Sequence, residues 1–286
     1  MDTFRRYYQL TKPGIIYGNL LTATAGFLLA ANWHINVGLL LSLLGGTSLV
    51  IASACVFNNY LDRGIDRKMA RTNQRALVSG RISGHHALVY ATILGVVGVF
   101  LLASYTNTLT LSIGLIAFFD YIVLYGWSKR HSVHGTLVGS ISGSAPIVAG
   151  YTAVTNRFDT GALLLFVILT CWQMPHFYAI SLYRFKDYKT AGLPVLPVAK
   201  SVRDAQIQIV LYVIAFIVAV ALLTAFGYTG YIYLVVMTGL GLAWLWRGLW
   251  GFKVKDSKSW GRQMFFFSLI VIVGLSVMVA VGGWLP

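Results

Sequence analysis

Residues 37–57 read VGLLLSLLGGTSLVIASACVF, a run of apolar and small residues without a charged side chain. A helix that crosses a bilayer needs about 20 mainly apolar residues, because the hydrocarbon core is about 30 Å thick and each helical residue advances about 1.5 Å. The run therefore predicts a membrane-spanning helix. The polar sequence NNYLDRGID follows it directly at 58–66, so acidic and amide side chains are expected at one membrane face.

The composition of the whole chain agrees with a membrane protein. Of its 286 residues, 57% are hydrophobic and 10% are charged, whereas a soluble domain usually carries about 25% charged residues. The apolar composition excludes disorder, and two cysteines are too few for a disulfide scaffold. We therefore predict an all-α, polytopic membrane protein with nine transmembrane helices. The predicted spans are 14–33, 37–57, 87–104, 108–126, 135–154, 161–183, 206–226, 230–249 and 264–285.

Basic residues are divided unevenly between the two predicted sides. Of the 22 Lys and Arg residues, all except Arg157 fall in the N-terminal segment, in the loops after the second, fourth, sixth and eighth spans, or, for Arg247, near the end of the eighth span that leads into the last of these loops. The positive-inside rule places these segments in the cytoplasm. The N-terminus is thus predicted to be cytoplasmic and the C-terminus outside. The basic residues that orient the chain in the membrane account for the formal net charge of +14. No nucleic-acid partner is therefore expected.

Two predicted cytoplasmic loops, about 58–86 and 184–205, are long and hold four of the eight acidic residues. Long loops in compact proteins are usually functional or disordered, and these two carry too much pattern for disorder. We predict that they are the catalytic loops of a single transmembrane domain that covers residues 1–286.

The first of these loops begins with an acidic pattern. Asn58, Asp62 and Asp66 are four residues apart, so they share one face of a helix that turns every 3.6 residues or so. Carboxylate and amide oxygens suit Mg²⁺, which usually takes one or two carboxylates and leaves its other positions to water and substrate phosphates. The spacing predicts that these three residues are catalytic and bind the metal.

Basic residues with the same spacing run beside the acids. Arg63, Arg67, Arg71 and Arg75 recur every four residues, and guanidinium groups next to a metal site match the needs of a Mg²⁺–diphosphate. The alternative is a solvated loop whose arginines contact lipid phosphates, which explains the acids poorly. The predicted diphosphate contacts are Arg67, Arg71, Arg75, Lys129, Arg130 and Lys189. For Lys129 and Arg130, ordinary positive-inside residues at the end of a span are the alternative.

Three further polar residues stand out beyond these rows. Asp187 follows the sixth span at the same predicted face, where it is expected to be catalytic and to bind a metal ion; an ion pair is the alternative. His176 lies on an otherwise apolar span, where a polar residue is costly and often functional; an interhelical hydrogen bond is the alternative. Asp120, within the fourth span, matches no motif and is given no role.

In this order, the motifs resemble those of a known superfamily. The pattern Asn-x-x-x-Asp-x-x-x-Asp after the second of nine helices resembles the first diphosphate motif of the intramembrane prenyltransferases. Within them, residues from about 5 to 265 are similar to the protohaem IX farnesyltransferase (haem O synthase) family. The blocks that carry this similarity are KPGII at 12–16, VFNNYLDR at 56–63, DRKM at 66–69, KRHS at 129–132, WQMPH at 172–176, RFKDY at 184–188 and PVLP at 194–197.

The resemblance implies a helical bundle around a central cavity that uses Mg²⁺. It also implies the reaction: a farnesyl group moves from farnesyl diphosphate to a vinyl group of haem B, water adds, and haem O and diphosphate result. His176 and His131 are the expected haem contacts. The second acidic motif of the superfamily is reduced here to Asp187, with Tyr183 at its first position, which leaves the number of metal ions open.

The same resemblance implies a place in the cell and a set of partners. The expected location is the bacterial cytoplasmic (inner) membrane, with the active site towards the cytoplasm. The expected partners are haem B, farnesyl diphosphate and the lipid bilayer. Hand-over of the product to a terminal oxidase or to a haem A synthase is a further hypothesis.

Two alternatives remain at this stage. A quinone precursor could replace haem as the acceptor, although the haem-type blocks argue against it. A transporter also places polar residues inside a helical bundle, but its site is expected near the midplane at interrupted helices. Here the ionisable residues cluster at one predicted face, which favours the enzyme.

Overall fold

Long apolar helices form the whole fold. The computed structural model describes residues 2–32 and 34–286, with no β-strand in these ranges. Met1 and Trp33, the predicted last residue of the first span, lie outside the described residues. The helices are α1 (Asp2–Leu10), α2 (Pro13–Ala31), α3 (Val37–Asp66), α4 (Gly84–Tyr105), α5 (Thr108–Phe119), α6 (Tyr125–His131), α7 (Gly135–Thr155), α8 (Thr160–Tyr183), α9 (Phe185–Ala191), α10 (Leu196–Ala199), α11 (Val202–Ala225), α12 (Tyr231–Trp250) and α13 (Ser257–Val281).

Nine helical segments in the described part of the chain are long and apolar enough to cross a membrane. The fourth of them, Thr108–His131, consists of α5 and α6 joined by a π-helical turn at Asp120–Leu124, and the eighth ends in a 3₁₀ turn at Gly251–Lys253. The predicted fold class is confirmed: the chain is an all-helical, multi-pass membrane protein.

The ends of two spans differ from the prediction. Helix α3 continues through Asn58–Asp66 instead of ending at residue 57, and α13 begins at Ser257 instead of residue 264. A prediction that counts only apolar residues makes both helices too short, because it leaves out their polar ends. One face of the polar end of α3, with Asn58, Asn59 and Asp66, is buried inside the protein. The Asp256 carboxylate caps the first turn of α13 by accepting from Lys258 N–H at 3.1 Å and Ser259 N–H at 3.2 Å.

Helices α7 and α8 form the centre of the bundle. Helix α7 packs against α2, and α8 packs against α7, α11 and α13, while α3 pairs with α4 at the periphery. Glycines allow the closest of these approaches: a Cβ atom at Gly26 of α2 would collide with the carbonyl oxygen of Ile147, and one at Gly150 of α7 with that of Ala23. Small residues at such contacts let helix backbones pack closely inside a membrane.

Candidate active site

A cavity of about 740 Å³ lies inside the bundle, between α2, α3, the fourth span, α7, α8 and α13. One end of the cavity is lined by charged side chains from the end of α3, from α6 and from the loop after α3. The deeper part is lined mainly by aromatic, aliphatic and small residues. One space therefore brings a cluster of charges next to an apolar chamber.

The acidic row of α3 faces this cavity. Asn58, Asp62 and Asp66 all line it, as expected from residues that share one helical face. Asn58 and Asp66 are each 3% exposed, so the protein has removed a carboxylate and an amide from bulk water. Burial of this kind is costly unless the groups are paired or bind a ligand.

Each carboxylate of the row has a cationic partner from elsewhere in the chain. Lys129 Nζ lies 2.5 Å from Asp62 Oδ2, and Arg130 Nη2 lies 2.9 Å from Asp62 Oδ1. Arg75 Nη1 lies 2.6 Å from Asp66 Oδ2. Three of the predicted diphosphate contacts are thus brought to the acidic row, although Arg130 does not itself line the cavity.

The Asn58 amide connects two of these groups. With the amide oriented so that both of its polar atoms are satisfied, the nitrogen donates to Asp62 Oδ2 at 2.6 Å and the oxygen accepts from Lys129 Nζ at 3.0 Å. Asn58, Asp62 and Lys129 therefore form one hydrogen-bonded unit. A ligand that displaces Lys129 from Asp62 also acts on Asn58.

The arginine row does not continue along the helix. Helix α3 ends at Asp66, and the Thr72 hydroxyl donates to the Asp66 carbonyl at 2.9 Å, which folds the following turns back over the helix end. Arg71 and Arg75 reach the cavity from these turns, whereas Arg67 is exposed and does not line it. Spacing alone therefore does not identify which arginines face the site.

The segment after the sixth span approaches the cavity through other side chains than Asp187. Tyr183, Arg184 and Tyr188 line the cavity. Asp187 is half-buried on α9 beside them, and Lys189 is exposed; neither lines the cavity. Burial raises the pKa of the Tyr188 hydroxyl, so this group stays protonated and able to donate a hydrogen bond.

Lys12 is a site residue that was not predicted. It lines the cavity from the junction of α1 and α2, where it has a left-handed backbone conformation with φ 53°. Burial lowers the pKa of its ammonium group, and so do the charges of Arg75 and Lys129. The sequence offers the signal of a lysine directly before Pro13, but a lysine there is also typical of ordinary membrane topology.

His176 lies in the deeper, apolar part of the cavity. Its Nδ1 is 2.7 Å from the Ser268 hydroxyl, and its ring stacks on Trp172 with 4.7 Å between ring centroids. A hydroxyl at Nδ1 and a stacked indole fix the ring and leave Nε2 for a ligand. The other predicted haem contact, His131, is exposed at the end of α6, where Nδ1 meets the Trp127 carbonyl at 2.8 Å, away from the cavity lining.

Asp120 is fully buried outside the cavity lining. Its Oδ2 accepts a hydrogen bond from the Ser142 backbone N–H at 3.1 Å, and Oδ1 has no partner among the described residues. It begins the π-helical turn of the fourth span. The hydrogen bond from Ser142 joins this turn to α7.

The donor set at the charged end fits a magnesium ion. The described residues contain no cluster of three or more His, Cys, Asp or Glu side chains, so an all-protein cage is excluded for them. Mg²⁺ does not need one: it commonly binds through one or two carboxylates and completes its shell with water and substrate phosphates. The Asp62 and Asp66 carboxylates with the Asn58 amide match this pattern.

Comparison with known proteins agrees with the fold. The model of the UbiA prenyltransferase family matches residues 19–270. The chain belongs to the UbiA prenyltransferase family, and it is therefore a membrane-embedded prenyltransferase. It is 53% identical over 284 residues to the protoheme IX farnesyltransferase of Citrobacter koseri and 52% identical to that of Klebsiella pneumoniae, in each case across 99% of this chain and 96% of the relative.

Solved structures share the architecture at low sequence identity. One such structure comes from work on digeranylgeranylglyceryl phosphate synthase in membranes. It has a TM-score of 0.81 at 19% identity, and the match covers 99% of both chains. A UbiA homolog from Archaeoglobus fulgidus bound to GPP and Mg²⁺ has a TM-score of 0.75 at 16% identity, over 96% of this chain and 99% of that one. These similarities establish the fold.

Proposed function

We propose that this chain transfers the farnesyl group of farnesyl diphosphate to a vinyl group of haem B, with addition of water, to give haem O and diphosphate. Identity of about half the residues to protoheme IX farnesyltransferases over nearly the full chain carries this proposal. The cavity supports it, since one space joins a charged end suited to a diphosphate to an apolar chamber suited to a polyisoprenoid tail and a porphyrin.

The charged end suits the departure of diphosphate. Ionisation of an allylic diphosphate puts negative charge on the leaving group, and cations fixed in a poorly solvated site stabilise that charge most where it develops. Lys12, Arg71, Arg75 and Lys129 line this end. We assign Lys129 and Arg75 to the diphosphate because each of them can transfer a hydrogen bond from its carboxylate to a phosphate oxygen.

Asn58, Asp62 and Asp66 are the residues that would hold Mg²⁺. When bound, the ion supplies charge neutralisation for the phosphate oxygens. With Asp62 and Asp66 holding the ion, Lys129 and Arg75 would be available to the diphosphate. Asp187 as an additional ligand, with Arg67, Arg130 and Lys189 as diphosphate contacts, stays a prediction.

His176 is the residue we assign to haem. It is buried in the apolar chamber, its Nδ1 is occupied by Ser268, and Nε2 is the atom available to the haem iron. Neutral imidazole is the commonest metal ligand among side chains. A haem held here would keep its vinyl groups away from bulk water, which protects the allylic cation until carbon–carbon bond formation. His131 as a haem contact stays a prediction.

The membrane setting is part of the proposal. Basic loops predict that the charged end faces the cytoplasm, where a water-soluble diphosphate arrives, and the bacterial relatives suit an inner-membrane location. Delivery of the product to an oxidase or to a haem A synthase stays a hypothesis.

The decisive experiment is an assay of the purified protein in detergent with haem B, farnesyl diphosphate and Mg²⁺, read by mass spectrometry. We expect a haem species heavier by one farnesyl group plus one water. The Asp62→Asn variant should lose this product by about a hundredfold or more because the metal loses a charged ligand. Asp204→Asn, outside the cavity lining, is the matched control. Prenylation of 4-hydroxybenzoate with unchanged haem would instead identify a quinone precursor as the acceptor.

The assignment of His176 has its own test. Titration of haem into the His176→Leu variant should give a changed Soret spectrum and at least tenfold weaker binding, because the iron loses its side-chain ligand. Binding of a non-hydrolysable farnesyl diphosphate analogue should persist. His86→Leu, exposed at the start of α4, is the control. Haem binding that is equal in His176→Leu and wild type would contradict the assignment.

A further inference from the structure

Gln173 is a buried amide in the apolar chamber, one helical turn before His176 on α8. Its side chain is 4% exposed and lines the cavity. A polar group at this depth in a membrane protein is costly unless it is satisfied or functional. The charged side chains are at the other end of the cavity, so diphosphate binding does not explain Gln173.

The orientation of this amide is fixed by its nitrogen. Gln173 Nε2 donates to the Ser140 carbonyl at 3.2 Å, to the Leu169 carbonyl at 3.2 Å and to the Ser144 hydroxyl at 2.9 Å. Two of these partners are backbone carbonyls, which accept only, so the atom facing them must be the NH₂ group. The oxygen Oε1 necessarily occupies the other position.

Oε1 accepts no hydrogen bond from any residue that the structure describes, and it is not sealed from the cavity. It lies over Gly143 of α7, which also lines the cavity; a Cβ atom at Gly143 would occupy the position of Oε1. The absence of a side chain at Gly143 therefore makes room for an unpaired acceptor in the wall of the chamber.

A second acceptor lies beside it. Pro146 has no N–H, so the carbonyl of Ser142, four residues earlier on α7, lacks its usual helical donor. Ser142 precedes Gly143 and lines the same cavity. The unpaired Oε1 and a carbonyl that lacks its helical donor are together suited to a molecule that donates two hydrogen bonds, and water is the smallest such molecule.

We propose that Gln173 Oε1 holds the water that adds to the haem vinyl group; this inference rests on the proposed function. In the reaction, the farnesyl C1–O bond breaks and its electron pair leaves with diphosphate. The vinyl π electrons form the new C–C bond to farnesyl C1, and positive charge remains on the vinyl carbon next to the porphyrin. The oxygen of the held water bonds to that carbon, and the proton it loses is taken up by the departing diphosphate.

Gln173 acts in this step as a positioning residue. Its acceptor oxygen orients the water so that a lone pair of the water points into the chamber. Without the water, the cation would lose a proton from the adjacent CH₂ group and give an alkene that is lighter by one water. The ratio of alkene to alcohol therefore reports on Gln173 and is independent of the overall rate.

The test compares Gln173→Leu with wild type in the same haem and farnesyl diphosphate assay in H₂¹⁸O. We expect the ratio of alkene to ¹⁸O-labelled alcohol to rise about tenfold, the loss that one hydrogen bond typically causes, while diphosphate release continues. Gly143→Ala should shift the ratio in the same direction, because the new methyl displaces Oε1. Gln206→Leu, which removes another buried glutamine bonded to a backbone carbonyl but outside the cavity, is the matched control.

The outcomes separate the two proposals. If Gln173→Leu and Gly143→Ala both give alcohol at the wild-type ratio, or if both abolish diphosphate release while remaining folded, the role of Gln173 is refuted. Should Gln173→Leu fail to fold, the Gly143→Ala ratio decides alone. If the wild-type protein makes no farnesylated haem at all, the proposed function itself fails.

Discussion

Asp66 and Arg75 illustrate how single residues determine the charged end of the cavity. The Asp66 carboxylate is buried, and the Arg75 guanidinium satisfies it at 2.6 Å while also donating to the Asn59 amide oxygen at 3.3 Å. A buried carboxylate that loses its partner is left with an uncompensated charge. Arg75 therefore both supports the folded end of α3 and supplies a cation for a phosphate.

The Arg75→Gln substitution tests this double role. We expect the KM for farnesyl diphosphate to rise at least tenfold, because the diphosphate loses a charged partner, and the free energy of unfolding to fall by about 3 kcal/mol, because Asp66 stays buried without a cation. Steady-state kinetics and thermal unfolding in detergent measure the two effects. Arg81→Gln, an exposed arginine of the same loop, is the control, and equal behaviour of the two variants would contradict the prediction.

Sequence reasoning predicted the acidic row of α3 that lines the cavity but only some of the basic side chains that line it. Four-residue spacing placed Asn58, Asp62 and Asp66 on one face because the face of a helix depends only on local geometry. The partner of Asp62 is 67 residues away, at Lys129, and such pairing depends on how helices pack. The environment of Gln173 could not be predicted from sequence for the same reason, since the three acceptors that its amide nitrogen contacts lie on two different helices.

At the scale of elements, the contact between α2 and α7 supports one wall of the cavity. Gly26 and Gly150 bring the two helix backbones together, and residues on the neighbouring turns of both helices face the cavity. Inside a bilayer, burial of apolar surface contributes little to helix association, so close van der Waals packing carries more of the stability. The contact between α2 and α7 should therefore tolerate no added side chain at Gly26 or Gly150.

Gly150→Ala tests this packing. The methyl group would collide with the Ala23 carbonyl oxygen, and overpacking of this kind usually costs about 1–3 kcal/mol. We expect a lower melting temperature in detergent and a comparable loss of activity. Gly239→Ala, whose Cβ would meet no atom within 4 Å, is the matched glycine control. If the melting temperature of Gly150→Ala is as high as that of the control, the contact between α2 and α7 can adjust to the added methyl group and the prediction is wrong.

The presence of each membrane span is easier to predict from sequence than the residues at which the span begins and ends. Apolar runs of about 20 residues predict transmembrane helices because the bilayer requires them. Whether a helix continues past the apolar run depends on what its polar end contacts. Helix α3 continues because its polar residues find partners inside the protein, such as the Leu10 carbonyl, to which Asn59 donates at 2.8 Å.

At the scale of the whole molecule, the asymmetry of basic residues predicts the orientation in the membrane. With both buried native cysteines, Cys55 and Cys171, replaced by alanine, single cysteines at Ser79 and Phe158 can be labelled in spheroplasts with a membrane-impermeant maleimide. We expect Phe158→Cys to react directly and Ser79→Cys to react only after lysis, because the positive-inside rule places residue 79 in the cytoplasm. The opposite pattern would invert the topology.

The balance of charge around the cavity has a consequence for how the site is filled. Among the described residues that line it, five side chains are cationic, namely Lys12, Arg71, Arg75, Lys129 and Arg184, and two are carboxylates, Asp62 and Asp66. Before substrate arrives, the protein therefore presents a receptor for anions, which repels a lone dication. Magnesium is then expected to enter already bound to the diphosphate. Product pyrophosphate is expected to compete with new substrate for the same binding site.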